Sequence, residues 1–144
     1  MKYRKGIHAG AYAPHSDSKS AIITEGKAAV FDRITRANGT SEFEDFLDSL
    51  SEKDAAKLLA VISKVETLGL QIAIRMQWVR KLEDDLYELR SQQGRDIQRA
   101  IYFHVGANCY VITHGFTKKS QRTPAREIRH AKELRRRYRM GETK

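Results

Sequence analysis

The stretch "DLYELRSQQGRDIQRAIYFHVGANCYVITHGF", Asp85–Phe116, decides the fold. Apolar and polar residues alternate with period two through Asp85–Gln92, Asp96–Val105 and Asn108–Phe116. That is the pattern of strands whose successive side chains point to opposite faces. The short turns "QQGR" and "GAN" join neighbours, so the three strands form an antiparallel meander. Alternation puts Tyr87 and Leu89 on one face and Glu88 and Arg90 on the other. Arg99 shares a side with Ile97, Ile101 and Phe103; Tyr110, Ile112 and His114 share one side, and Cys109, Val111 and Thr113 the other. Glu88, Arg90, Arg99 and His114 are therefore polar groups set inside apolar strands.

Working outward, "KAAVFDRI" (Lys27–Ile34) is a further strand, closed by the turn "ANGT". Ser41 caps a helix, with Glu44 three residues on and an apolar stripe at Phe43, Phe46, Leu47 and Leu50. Ser51 and Asp54 repeat the device ahead of Ala55, Leu58, Leu59, Ile62 and Val65, and Gly69 stops the second helix. The two helices pack as a hairpin. Gln71–Lys81 reads as a connection, with Trp78 or Val79 pinned to the core. Beyond the meander, "TPAREI" opens a last helix with Thr123 as N-cap and Pro124 at its first position. Ile128, Ala131, Leu134 and Tyr138 face inward on it. The expected fold is α+β: a small antiparallel sheet of four or five strands, an N-terminal helical hairpin and a C-terminal helix. One sheet face packs on helices; the other is open or occupied by function. Residues 1–26 form an aperiodic extension, and 27–144 the domain.

A chain of 144 residues, 40% hydrophobic and 31% charged, folds as one domain with a modest core. It shows no apolar run of spanning length and no signal-peptide pattern, so the expected compartment is the cytoplasm. The lone Cys109 excludes an internal disulfide and reads as a small core residue. No Walker loop, HExxH or zinc spacing is present, and His8 and His15 lack further ligands, so neither metal nor cofactor is expected.

The formal net charge of +9 is uneven. Thr117–Lys144 carries 11 Lys and Arg against 3 Asp and Glu, whereas Thr40–Leu89 carries 6 against 11. Such asymmetry implies a polyanionic partner, and it permits an acidic protein that masks the basic face. Arg122, Arg126, Arg129, Lys132 and Arg136 are the candidate nucleic-acid contacts. Plainer readings stand beside these: ion pairs for Arg90 and Arg99, a hydrogen-bonded structural His114, a core Tyr138, and a solvated turn for Lys118 and Lys119.

The segment Lys81–Glu133 resembles the phage-derived, HigB-like branch of the RelE/ParE toxin superfamily. The marks are "LYELR", an Arg and "YF" in the next strand, and "HGFTKKSQRTPAREI", a strand end, a Lys pair and a helix beginning Thr-Pro. The resemblance covers about Ala28 to Tyr138 and stops short of the N-terminal arm. It implies the toxin of a type II toxin–antitoxin pair, with a cognate antitoxin as partner. It further implies an mRNA interferase that cuts in the ribosomal A site, making contacts with 16S rRNA. ParE-type members of the same fold inhibit DNA gyrase instead, and a non-catalytic nucleic-acid-binding member is a further alternative.

Metal-independent RNA cleavage uses the substrate's 2′-hydroxyl to attack the adjacent phosphate, and the protein supplies a base, cations and an acid. Arg90 and Arg99 suit the phosphate through their bidentate forks. Lys118 or Lys119 steers the backbone or stabilises the leaving group. Glu88 or His114 is the base or acid. The basic final helix would hold ribosomal RNA, a contact that weakens steeply with salt.

Overall fold

The computed structural model describes residues 26–144, except residues 94 and 119 and the side chain of Gln93. The expected extension over 1–26 lies outside them save for Gly26. The elements run β1 (Val30–Arg33), α1 (Glu42–Ser49), α2 (Glu52–Leu68), α3 (Leu70–Arg75), β2 (Val79–Glu83), β3 (Leu86–Gln93), β4 (Asp96–Gly106), β5 (Cys109–Lys118) and α4 (Ala125–Arg139). The sheet order is β1-β5-β4-β3-β2. The fold is α+β, with the helical hairpin and the C-terminal helix in place. No described helix is long and apolar enough to cross a membrane.

Local chemistry sets the helix starts. The Ser41 hydroxyl accepts from the Glu44 N–H at 3.2 Å, and the Ser51 hydroxyl from the Asp54 N–H at 3.1 Å. Each satisfies a donor that the first helical turn would otherwise strand. Glu44 directs its carboxylate to Arg33 of β1, which ties α1 to the sheet edge. Gly69 ends α2 at φ +93°, a region that only glycine enters without strain, and its N–H reaches Val65 O at 2.8 Å.

Four expectations are corrected. Gln71–Lys81 is not a plain connection: it holds most of α3 and the start of β2, which pairs antiparallel with β3 through Val79↔Leu89 and Arg80↔Glu88. Val79 is buried, as expected, and exposed Arg80 and Lys81 make a charged sheet edge. The sheet is mixed rather than antiparallel throughout, because β1 lies parallel to β5 (Val30↔Cys109 to Arg33↔Ile112). β1 is also shorter than its apolar pattern. The Ala28 and Ala29 N–H groups donate to Glu66 O of α2, and the Phe31 N–H donates to the Glu66 carboxylate at 2.9 Å. Finally, Cys109 is half-buried at the start of β5 rather than in the core.

The hairpin and α3 cover one sheet face over Phe31, Phe43, Leu58, Leu89, Ala100, Tyr102 and Ile112. α4 covers part of the other, where Ala131 and Leu134 meet Leu86, Ile101, Phe103 and Val111, with Ile128 and Tyr138 packed alongside. Tyr138 stands edge-on to Phe103, the core role. The second face is thus neither open nor wholly functional. α4 closes one end and leaves the end bearing Arg90 and Arg99.

Gly115 marks a close approach of helix to sheet. A Cβ there would lie 2.2 Å from the Phe46 ring of α1. Gly115→Ala is expected to destabilise the fold by about 1–3 kcal/mol, as overpacked cores do. Urea denaturation of the two proteins checks this, and an unchanged midpoint would contradict it.

Candidate functional site

Residues directly opposite one another across an antiparallel pair share a face. On the α4 side of the sheet this makes three rows. The first is Glu88, Ile101 and His114, the second Arg90, Arg99 and Phe116, the third Gln92, Ile97 and Lys118. His114 reaches this side only through a bulge. Ile101 pairs with His114 and Tyr102 with Ile112, so Thr113 is an extra residue in β5. The expected grouping of His114 with Tyr110 and Ile112 is therefore corrected, because one inserted residue reverses the alternation beyond it.

Glu88 organises the first cluster. Its side chain is fully buried, as is that of Arg99. Glu88 Oε1 accepts the Thr123 hydroxyl at 2.6 Å and lies 3.8 Å from Arg99 Nη1; Oε2 lies 3.3 Å from Arg90 Nε. Arg99 donates to Thr123 Oγ1 at 3.3 Å and to the Ser120 carbonyl. Burial pushes both guanidiniums below their ordinary pKa, and the Glu88 carboxylate opposes the shift. Arg90 differs from Arg99 in reach. Its side chain keeps 14% of its exposure, and its Nη2 donates to Gln121 Oε1 at 2.7 Å. Arg80 binds the Gln121 carbonyl at 3.1 Å, so arginines from three strands clamp residues 120–123.

Thr123 is not the expected N-cap. Pro124 takes that position without a side-chain cap, since the Thr123 hydroxyl is given to Glu88. A buried carboxylate needs every donor it can collect. Even so, Glu88 Oε2, Arg90 Nε and Arg99 Nε find no hydrogen-bond partner among the described residues.

His114 belongs to a second cluster, with Phe116 stacked between it and Arg99. Its Nε2 donates to Glu127 at 2.9 Å and its Nδ1 lies 3.0 Å from Thr113 Oγ1. The ring stands edge-on to His130, which binds Glu42 of α1 at 2.8 Å. Burial pushes the His114 pKa down, against the Glu127 hydrogen bond. The structure thus brings Glu88, Arg90 and Arg99 together and holds His114 apart. Lys118 lies at the end of β5, half-buried and opposite Ile97. Lys119 is outside the described residues. Among the described residues, no group of His, Cys, Asp and Glu is arranged to hold a metal.

On α4, Arg126 and Arg129 are exposed, with Arg122 just before the helix. Arg126 lies 3.7 Å from Glu127 while 68% exposed. Lys132 and Arg136 are less free, paired with Glu83 at 2.9 Å and Glu133 at 2.8 Å. Arg135 and Arg139 bind the Asp84–Asp85 turn, Arg135 reaching Asp85 O at 2.7 Å. Sequence reading missed Thr123, Ser120 and Gln121 as partners of the arginines. The "TP" signal fits a cap equally well, and nothing local announces a buried carboxylate 35 residues upstream.

The mixed sheet, helical hairpin and clamped basic helix define the class: a small α+β protein with a cationic sheet end. Residues 45–136 match the family model described as Phage derived protein Gp49-like (DUF891). The match takes in the Glu88 cluster, the His114 cluster except Glu42, and most of α4, and the chain belongs to this family, which is RelE- and toxin-like. No curated protein matches the chain.

Two outcomes follow from the clusters. Glu88→Ala leaves the Arg99 guanidinium buried and unpaired, and is expected to cost about 3–5 kcal/mol of stability in urea denaturation. For His114, the native state holds the imidazole below its ordinary pKa while the unfolded chain takes up the proton near pH ~6.5. Stability therefore falls as the pH drops below that value, and His114→Gln removes this part of the dependence. Thermal melts from pH 8 to 5 measure it, and parallel curves would contradict the assignment.

Proposed function

We propose that this protein is the toxin of a type II toxin–antitoxin pair, of the HigB-like branch, and that it cuts ribosome-bound mRNA without a metal. The observation that carries the reading is the convergence of Arg90 and Arg99 on the buried Glu88 carboxylate, beside a helix start whose Arg122, Arg126 and Arg129 face solvent. The phosphate ligand is Arg90, the more accessible guanidinium of the two. Arg99 and Glu88 fix its orientation from beneath.

In the reaction the 2′-hydroxyl gives its proton to solvent water as its oxygen attacks phosphorus, and the bond to the 5′-oxygen breaks; that oxygen takes a proton from solvent and leaves as a hydroxyl, with a cyclic phosphate behind. Arg90 stabilises the crowded phosphate. Lys118, on the same face, stabilises the departing oxygen. Glu88 and His114 are committed to protein partners and so supply position rather than proton transfer. Arg122, Arg126 and Arg129 hold ribosomal RNA phosphates, and the same cations receive an acidic segment of the antitoxin.

A non-catalytic reading, in which the fold binds gyrase or RNA and cuts nothing, is favoured by the complete burial of Glu88 and Arg99. Induced expression with primer extension on abundant transcripts separates the two. The nuclease gives cuts inside translated codons that vanish when translation is blocked, and Arg90→Ala lowers cutting by about 10²–10³, the scale of one lost transition-state donor. Growth arrest with intact transcripts would remove the nuclease.

A further inference from the structure

A cavity of about 220 Å³ opens beside Arg90, lined by Gln77, Trp78, Arg90, Gln92, Ile97 and Gln121. We infer that it is a nucleobase pocket, seating one unstacked RNA base next to the phosphate that Arg90 holds. The inference rests on the nucleic-acid reading above and names the subsite where sequence would be sensed.

Three observations carry it. The lining is chemically suited to a base edge. Three carboxamides line it, the groups that pair with heterocycle edges, and no carboxylate is among the lining residues. Trp78 and Ile97 supply apolar wall for the ring. The size is right for one heterocycle, below the roughly 300–1,000 Å³ of pockets for drug-sized ligands.

The placement is also right. Gln92 and Ile97 occupy the row next to Arg90 and Arg99, and Lys118 completes that row on β5. The pocket is therefore flanked by the cations assigned to phosphate. Gln121 joins the two functions. Its Oε1 accepts from Arg90, which leaves its amide N–H₂ to donate toward a base.

The wall is held in place by backbone. Gln77 sits at φ +65°, an uncommon conformation for a non-glycine residue, with its N–H on Ile74 O at 3.0 Å. Trp78 is fixed through Ala73 O at 2.9 Å and through the Arg90 N–H, which donates to its carbonyl at 2.8 Å. A pocket rigid before binding loses less entropy when a base enters.

The test uses the intact protein and two fluorescently labelled RNA tetranucleotides at low salt, one ordinary and one with abasic sugars. The pair carry equal phosphate charge, so only base contacts distinguish them. Trp78 is the only tryptophan of the chain and reports from within the pocket. The expected result is at least tenfold tighter binding of the ordinary oligonucleotide by anisotropy, with a saturable change in Trp78 emission that the abasic one does not give. Gln92→Ala should erase that tenfold preference and leave abasic binding unchanged. Equal binding of the two oligonucleotides would overturn the pocket and leave the phosphate-binding reading standing. A base preference untouched by both Gln92→Ala and Gln77→Ala would also overturn it. Binding of neither would sink the pocket together with the RNA-binding reading.

Discussion

A buried carboxylate is the constraint on which this molecule turns. Glu88 sits in a strand whose neighbours Leu86 and Leu89 are wholly buried, and water does not reach it. An ionised group in that position is tolerated only when opposite charge and hydrogen bonds replace its hydration. Here two guanidiniums and one hydroxyl do so, drawn from β3, β4 and the segment before α4. The demand of one side chain thus decides where the chain after β5 runs and where the last helix begins. It also aims Arg90.

The distribution of cations follows from the same economy of partners. Arg99 is internal and Arg90 nearly so. Arg135 and Arg139 brace the turn between β2 and β3. Lys132 meets Glu83 at the end of β2, and Arg136 meets Glu133 one turn back on α4. Exposed and with no carboxylate within 3.5 Å among the described residues is the group around the start of the helix, Arg122, Arg126 and Arg129, next to the sheet end that carries Arg90. A basic count by itself would spread the interface along the whole helix. Pairing narrows it to one end, close to the candidate chemistry.

The fold was legible where its signals are local. Ser41 and Ser51 announce their helices through hydroxyls that cap donors three residues on. Period two announces β3, β4 and β5, whereas the register that sets Arg90 opposite Arg99 is read only from the paired strands. The site was legible only in part. Glu88, Arg90 and Arg99 stood out as charges in apolar strands and do form one cluster. His114 stood out for the same reason and belongs elsewhere, because the extra Thr113 reverses the face it occupies. Thr123 read as a cap, since a cap and a ligand for a buried carboxylate use the same hydroxyl. The pocket of glutamines was illegible, for amides scattered from Gln77 to Gln121 carry no period.

The sequence by itself determined most of the elements, the starts of α1 and α2, the apolar faces and the basic end of the chain, because each depends on residues within one or two turns of one another. Tertiary structure alone decided that β1 runs parallel beside β5, that Gln71–Lys81 contributes a helix and an edge strand, and that Glu66 anchors β1 from α2. It alone decided which charges meet. The physical reason is range. Capping and periodicity act through neighbouring backbone, whereas burial of a charge is settled by whichever distant partners the packed chain brings within hydrogen-bond reach.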